Sequence, residues 1–275
     1  MRVILVPVAD RPECAIALQT AFNLGERLGA SVSGCHVRPH RYSNRTLGTA
    51  FADAAWRRRD TKRAPAAAKA LYQAIAEQHG YKVSRRARQE PSALWAERVG
   101  SPDKLMGIVG PVADLVVVSR PMRAGTVADL FMLAALIEST RPVLIVPSSA
   151  RKIVGKHVCI AWNQSSDAAR CVTAAIPILQ QANEVTIVSC GPEDRAGPQS
   201  NHLAAYLTQW GVKTTKVSTR GRNVEAELMA ACKEKRADVL LGGAYSRSRW
   251  REKVFGGTTE FLIRKATIPV MLLHG

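Results

Sequence analysis

An internal repeat restricts the fold of this chain more than any other feature. The stretch "VILVPVADRPECAIALQTAFNLGERLGASVSGCHV" at 3–37 and the stretch "HVCIAWNQSSDAARCVTAAIPILQQANEVTIVSC" at 157–190 share one plan: an apolar run, a polar turn, an amphipathic segment and a second apolar run. The ends of the copies match too, "ADLVVVSRP" at 113–121 with "ADVLLGGAY" at 237–245 and "RPVLIVP" at 141–147 with "IPVMLLH" at 268–274. Val8 stands opposite Trp162, Ala113 opposite Ala237 and Pro142 opposite Pro269, so the first copy holds about 30 extra residues in its middle.

Within each copy, strand-like and helix-like segments alternate, which argues for β-α-β units and a parallel sheet. In the second copy strands are expected near 157–162, 184–190, 213–219, 237–242 and 269–273, joined by helices near 165–181, 200–210, 223–235 and 257–266. Runs such as "DVLLGG" and "PVMLL" suit strands covered on both faces, and right-handed crossovers then give a doubly wound layer. The expected class is α/β, with two tandem doubly wound parallel-sheet domains of five strands each, at 1–147 and 156–275, joined through "PSSARKIVG". The insertion of the first copy, about 38–70, is expected to form or extend a helix over "TAFADAAWRRRDTKRAPAAAKALYQAIAEQ", with Pro65 marking a break within it.

Composition narrows the function classes. A hydrophobic content of 47% suffices for real cores. No apolar run approaches the roughly 20 residues of a membrane span, and "MRVILVPVAD" is too short for a signal peptide, so a cytoplasmic protein without membrane contact is expected. Cys14, Cys35, Cys159, Cys171, Cys190 and Cys232 show no C-x-x-C pair, which argues against zinc and redox motifs and for buried reduced thiols. The net charge of +17 raises the question of nucleic acid, but the surplus is shared almost evenly by the two halves and forms no basic tail. The densest cluster, "WRRRDTKR" at 56–63, reads as a solvated helix face, so nucleic-acid binding is expected to be weak and non-specific.

In an open parallel sheet, ligands bind beyond the C-terminal strand ends where the strand order reverses. In the second copy that brings "AWNQSS" at 161–166 beside "LLGGAYSRSRWREKVFGGTTEFLIRKATIPVMLL" at 240–273. Two glycine pairs there, Gly242-Gly243 and Gly256-Gly257, bracket a basic run; bare backbone beside positive charge suits an anion at a helix N-terminus. A plain strand-to-helix turn with a solvated basic face is the alternative.

With these residues in view, the chain resembles a tandem universal stress protein over nearly its whole length. The resemblance implies the adenine nucleotide alpha hydrolase-like fold of that family. Its ATP-binding members carry a loop of the form Gly-x2-Gly-x9-Gly-Ser/Thr whose amides hold the phosphates. The second copy supplies Gly243, then Ser246 in place of the second glycine, nine residues, and Gly256, with Gly257 in the last slot and Thr258 and Thr259 following. The resemblance implies Asn163, flanked by Ala161 and Trp162, in place of the family's acid near the adenine, and Cys190 packing near the base. Gly242 lies in the same turn, and Arg247 and Arg249 are the basic residues nearest the glycines. The first copy has only Gly125 in its matching loop, "SRPMRAGTVADLF", and is expected to be structural or regulatory.

No Walker-type loop, serine elbow or framed carboxylate pair is present, so any ATP hydrolysis is expected to be slow and incidental. The leading expectation is a stress-response protein that binds ATP or a related adenine nucleotide in its second domain as a regulatory ligand, with Mg only if ATP is bound. The alternatives are an interaction protein whose site has decayed, acting through an unidentified protein partner, and a polyanion binder. The resemblance also implies an intramolecular pseudo-dimer through "PVLIV" at 142–146 and "PVMLL" at 269–273, with room for a further homodimer.

Overall fold

A computed structural model describes residues 1–9, 11–38, 63–123, 125–150, 153–244 and 257–275. The chain divides into two compact units, Met1–Ser148 and Ser149–Gly275. In the first, strands β1 (Val3–Pro7), β2 (Ser31–Arg38), β3 (Val83–Ser84), β4 (Ala93–Val99), β5 (Leu115–Ser119) and β6 (Val143–Val146) alternate with helices α1 (Pro12–Leu28), α2 (Arg63–Gln78), α3 (Pro102–Val109) and α4 (Val127–Glu138). The second unit holds β7 (His157–Ala161), α5 (Ser166–Leu179), β8 (Glu184–Cys190), α6 (Ser200–Gln209), β9 (Thr215–Thr219), α7 (Val224–Glu234), β10 (Val239–Gly243), α8 (Gly257–Lys265) and β11 (Val270–Leu273).

Both units are doubly wound. The strand order is β3-β4-β2-β1-β5-β6 in the first and β9-β8-β7-β10-β11 in the second, and the ladders within each are parallel. The order therefore reverses between β1 and β5 and again between β7 and β10. The central strands are the apolar runs of the sequence: β5, β6 and β11 are buried along their whole length. The outermost strand β9 is the most exposed, and from Lys216 to Thr219 it alternates exposed and half-buried residues, as one covered face and one wet face require.

The shared "AD" before the fourth long strand of each copy has a chemical explanation. Asp114 Oδ2 accepts from the N–H groups of Arg2 and Val3, and the Asp238 carboxylate accepts from those of Gly155, Lys156 and His157. Each aspartate thus ties the start of the first strand to the strand beside it. Burial works to raise the Asp114 carboxyl, but the Arg2 and Val3 hydrogen bonds outweigh it and hold it below the usual range.

The insertion of the first copy is described only in part. Helix α2 is described from Arg63 on, with Pro65 among its first described residues, so the expected break lies at the edge of the described residues. The first copy also spends its extra length elsewhere. Helix α2 has 16 residues against 10 in α6, and β3, a sixth strand beyond the five expected, pairs Val83 with Ala93 and Ser84 with Leu94. The expected helical stretch before Arg63, including most of "WRRRDTKR", lies outside the described residues.

Candidate functional site

The reversal between β7 and β10 opens a cleft of about 380 Å³. Four segments far apart in sequence converge on it: the turn after β7, the loop after β8, the loop after β9 with the start of α7, and the end of β10 with α8. The turn is built by local chemistry. Trp162 N–H extends the β7 ladder by donating to Val188 O at 2.9 Å. Asn163 Oδ1 accepts from Ser165 N at 3.2 Å and Ser165 Oγ at 2.7 Å, and Ser165 Oγ accepts in turn from Ala168 N, capping α5. Gln164, between them, has φ +61° and is buried.

That strained residue fastens the loop after β8. Its Nε2 donates to the carbonyls of Arg195 and Gly197, and its Oε1 accepts from Arg195 N at 3.1 Å. A Cβ on Gly197 would stand 2.1 Å from Gln164 O, so only glycine permits this approach. Trp162 completes the attachment by donating from its indole Nε1 to Pro198 O at 2.9 Å. Although Trp162 lines the cleft, its ring is 4% exposed and its polar end is committed to the loop, so it supports the wall.

Ala161, Asn163, Cys190, Gly242, Gly243, Thr258 and Thr259, all expected at the site, line the cleft together. Gly257 begins α8 but does not line it; Ser246, Arg247, Arg249 and Gly256 lie outside the described residues. Five of the cysteines are buried as expected, whereas Cys190 is half-exposed at the cleft. Burial pushes its thiol up, against a Thr219 hydrogen bond that acts the other way, so it stands as a neutral packing group. Gly243 is required by packing. A Cβ there would lie 2.7 Å from Ala168 N and 3.0 Å from Ser165 Oγ, because the capped start of α5 presses on the end of β10.

Several lining residues escaped the sequence analysis: Gln164, Glu193, Asp194, Arg195, Arg220 and Gly221. Burial works to raise the Glu193 carboxyl, but hydrogen bonds from Ser189 Oγ and Ser200 N hold it below the usual range. Behind Gly221, the Glu227 carboxylate collects the Thr219 hydroxyl and the N–H groups of Gly221, Arg222 and Asn223, which hold it at about 2. The sequence signal for this second nest was present: acidic residues in the first turn of a helix opened by Asn223, whose side chain accepts from Ala226 N. For Gln164 no signal existed, because a positive φ at glutamine is imposed by the loop it holds.

The matching place in the first unit, beyond β1 and β5, is a hollow of about 20 Å³ lined by Val8, Cys14, Ser119 and Phe131 among others. Gly125, the single glycine of that loop, has φ +71° and donates to Asp129 Oδ2 at 2.8 Å. Among the described residues no three His, Cys, Asp or Glu are grouped to hold a metal ion, and no helix is long and apolar enough to cross a membrane.

Residues 179–274 match the universal stress protein family. No curated protein matches the sequence. Among solved structures, a universal stress protein from Archaeoglobus fulgidus DSM 4304 superposes with a TM-score of 0.68 at 13% identity, over 98% of this chain and 97% of that one. A functionally unknown protein from Pseudomonas aeruginosa PAO1 superposes with a TM-score of 0.58 at 15% identity, over 99% of this chain and 92% of that one. The resemblance drawn from the sequence therefore holds: the whole chain has the fold of a solved universal stress protein, and the second unit carries the family's sequence pattern.

Proposed function

We propose that the second unit of this universal-stress-protein-like chain is a binding module for an adenine nucleotide or a close relative, held as a regulatory ligand in a stress response. One observation carries the reading: segments around residues 161, 190, 242 and 258 meet at the strand-order reversal around an open volume of about 380 Å³, within the range of small-molecule sites. In this reading Asn163 offers donor and acceptor to the base edge, Gly242 presents bare backbone and Ala161 a single methyl beneath it, and Cys190 packs against it. Thr258 and Thr259 face the other end of the ligand, with Ser246, Arg247, Arg249 and Gly256 assigned there from the sequence pattern. A magnesium ion, if ATP is the ligand, would be held chiefly by the nucleotide's own phosphates. The first unit, 1–147, is assigned a supporting role, and the second spans 156–275.

A second reading, an interaction protein whose site has decayed, is favoured by one contact: the Thr258 hydroxyl donates to Glu225 Oε1 at 2.9 Å. Mass spectrometry of small molecules released from protein purified without added ligand decides between them. Copurifying adenine compound supports the binding module. An empty protein that also shows no heat of binding with millimolar adenosine, AMP or ATP leaves the interaction reading in its place.

A further inference from the structure

An acidic side chain stands beside the end of the cleft nearest α8, behind Thr258. Gly257 and Thr258 are the first described residues of α8. The acid comes from the neighbouring helix α7. Glu225 Oε1 accepts from Thr258 Oγ1 at 2.9 Å and lies 3.8 Å from where a Cβ on Gly257 would stand. The hydroxyl that lines the cleft beside this carboxylate is thus directed toward it.

We infer that Glu225 is a specificity-determining residue that makes the cleft a site for an adenine nucleoside or a nucleotide with at most one phosphate group, and disfavours polyphosphates. This rests on the proposed adenine-binding function and narrows its ligand class. A second or third phosphate extended toward α8 would meet the Glu225 carboxylate and would compete with it for the Thr258 hydroxyl. A nucleoside avoids both conflicts. A single phosphate avoids them by turning to Arg195 and Arg220, which line the cleft where Glu225 does not.

Calorimetric titration of the full chain with adenosine, AMP and ATP, in the presence of EDTA, tests this in wild type and in Glu225→Gln. Glutamine keeps an acceptor for Thr258 Oγ1 and removes the charge, and a melting curve confirms the fold. Wild type is expected to bind adenosine or AMP at least tenfold more tightly than ATP. The variant is expected to bind ATP about fivefold more tightly than wild type does, with adenosine within twofold. ATP binding as tight as AMP in wild type, or an ATP affinity that is unmoved or weakened in Glu225→Gln, overturns the inference while leaving the proposed function in place. No binding of any of the three to either protein overturns the proposed function, and the inference with it.

Discussion

In the first unit the hollow beyond β1 and β5 measures about 20 Å³, while its counterpart beyond β7 and β10 measures about 380 Å³. The strands on both sides follow one plan, so a few substitutions account for the difference. Helices α4 and α8 end at the same distance before β6 and β11, which places Phe131 in register with Thr258. Likewise β5 and β10 align Val118 and Ser119 with Gly242 and Gly243. Where the second unit has glycines and a threonine around open space, the first has Val118, Ser119 and a Phe131 that is 9% exposed. One backbone plan thus carries either a cleft or a plug, and side-chain volume at three positions decides which.

The sharpest way to break this comparison is Gly243→Val. Added carbons would collide with Ala168 N and the Ser165 cap, so the second unit should lose about 3 kcal/mol or more, whereas Gly125→Ala meets open space and should cost about 1 kcal/mol for its positive φ. Urea denaturation of each variant reads the difference. Ligand binding alone cannot interpret Gly243→Val, since any lost affinity would follow from lost packing. Next in size, Phe131→Ala should remove the plug and cost about 3 kcal/mol, with the reverse exchange, Thr258→Phe, abolishing adenine-compound binding in calorimetry. If Phe131→Ala leaves stability unchanged, the plug assignment is wrong.

Gln164→Gly sharpens the account of the cleft wall. It relieves the positive φ but removes three hydrogen bonds, for a net loss of about 1 kcal/mol and faster exchange of the Arg195 amide. The two units should respond alike to acid. Asp114 in the first and Glu193 and Glu227 in the second all have depressed carboxyls. Their stabilisation is fully present above the unfolded value of about 4 and is lost as pH falls, for Glu227 toward about 2. Melting temperature should therefore decline steadily below about pH 4, and Glu227→Gln should flatten the decline between about pH 4 and 2. Smallest of all, Asn163→Asp retains the acceptor for Ser165 and should change stability by less than about 0.5 kcal/mol, with adenine-compound affinity level or raised in calorimetry.

Much of the architecture was legible in the sequence because the plan is repeated. The expected segments of the second copy match β7 to β11 and α5 to α8 closely, and the doubled "AD" marked both strand-tying aspartates. Asn163, Cys190, Gly242 and Gly243 could be placed at the cleft because strand ends fix them. Loop chemistry was not legible: Gln164, Glu193 and Glu225 reach their partners only after the segments near 195, 200 and 258 fold back on them.

The two aspartate ties bear on the order of events during synthesis. The start of β1 is made first, yet its amides find their acceptor only at Asp114, more than a hundred residues later. Asp238 closes the same tie on residues 155–157 across a separation of 81 to 83. Until the fourth long strand leaves the ribosome, the first strand keeps one bare edge, open to mispairing with any other extended segment. Each half of the nascent chain therefore passes through a window in which its central strand is exposed, and the second window opens only after the first half has been able to close.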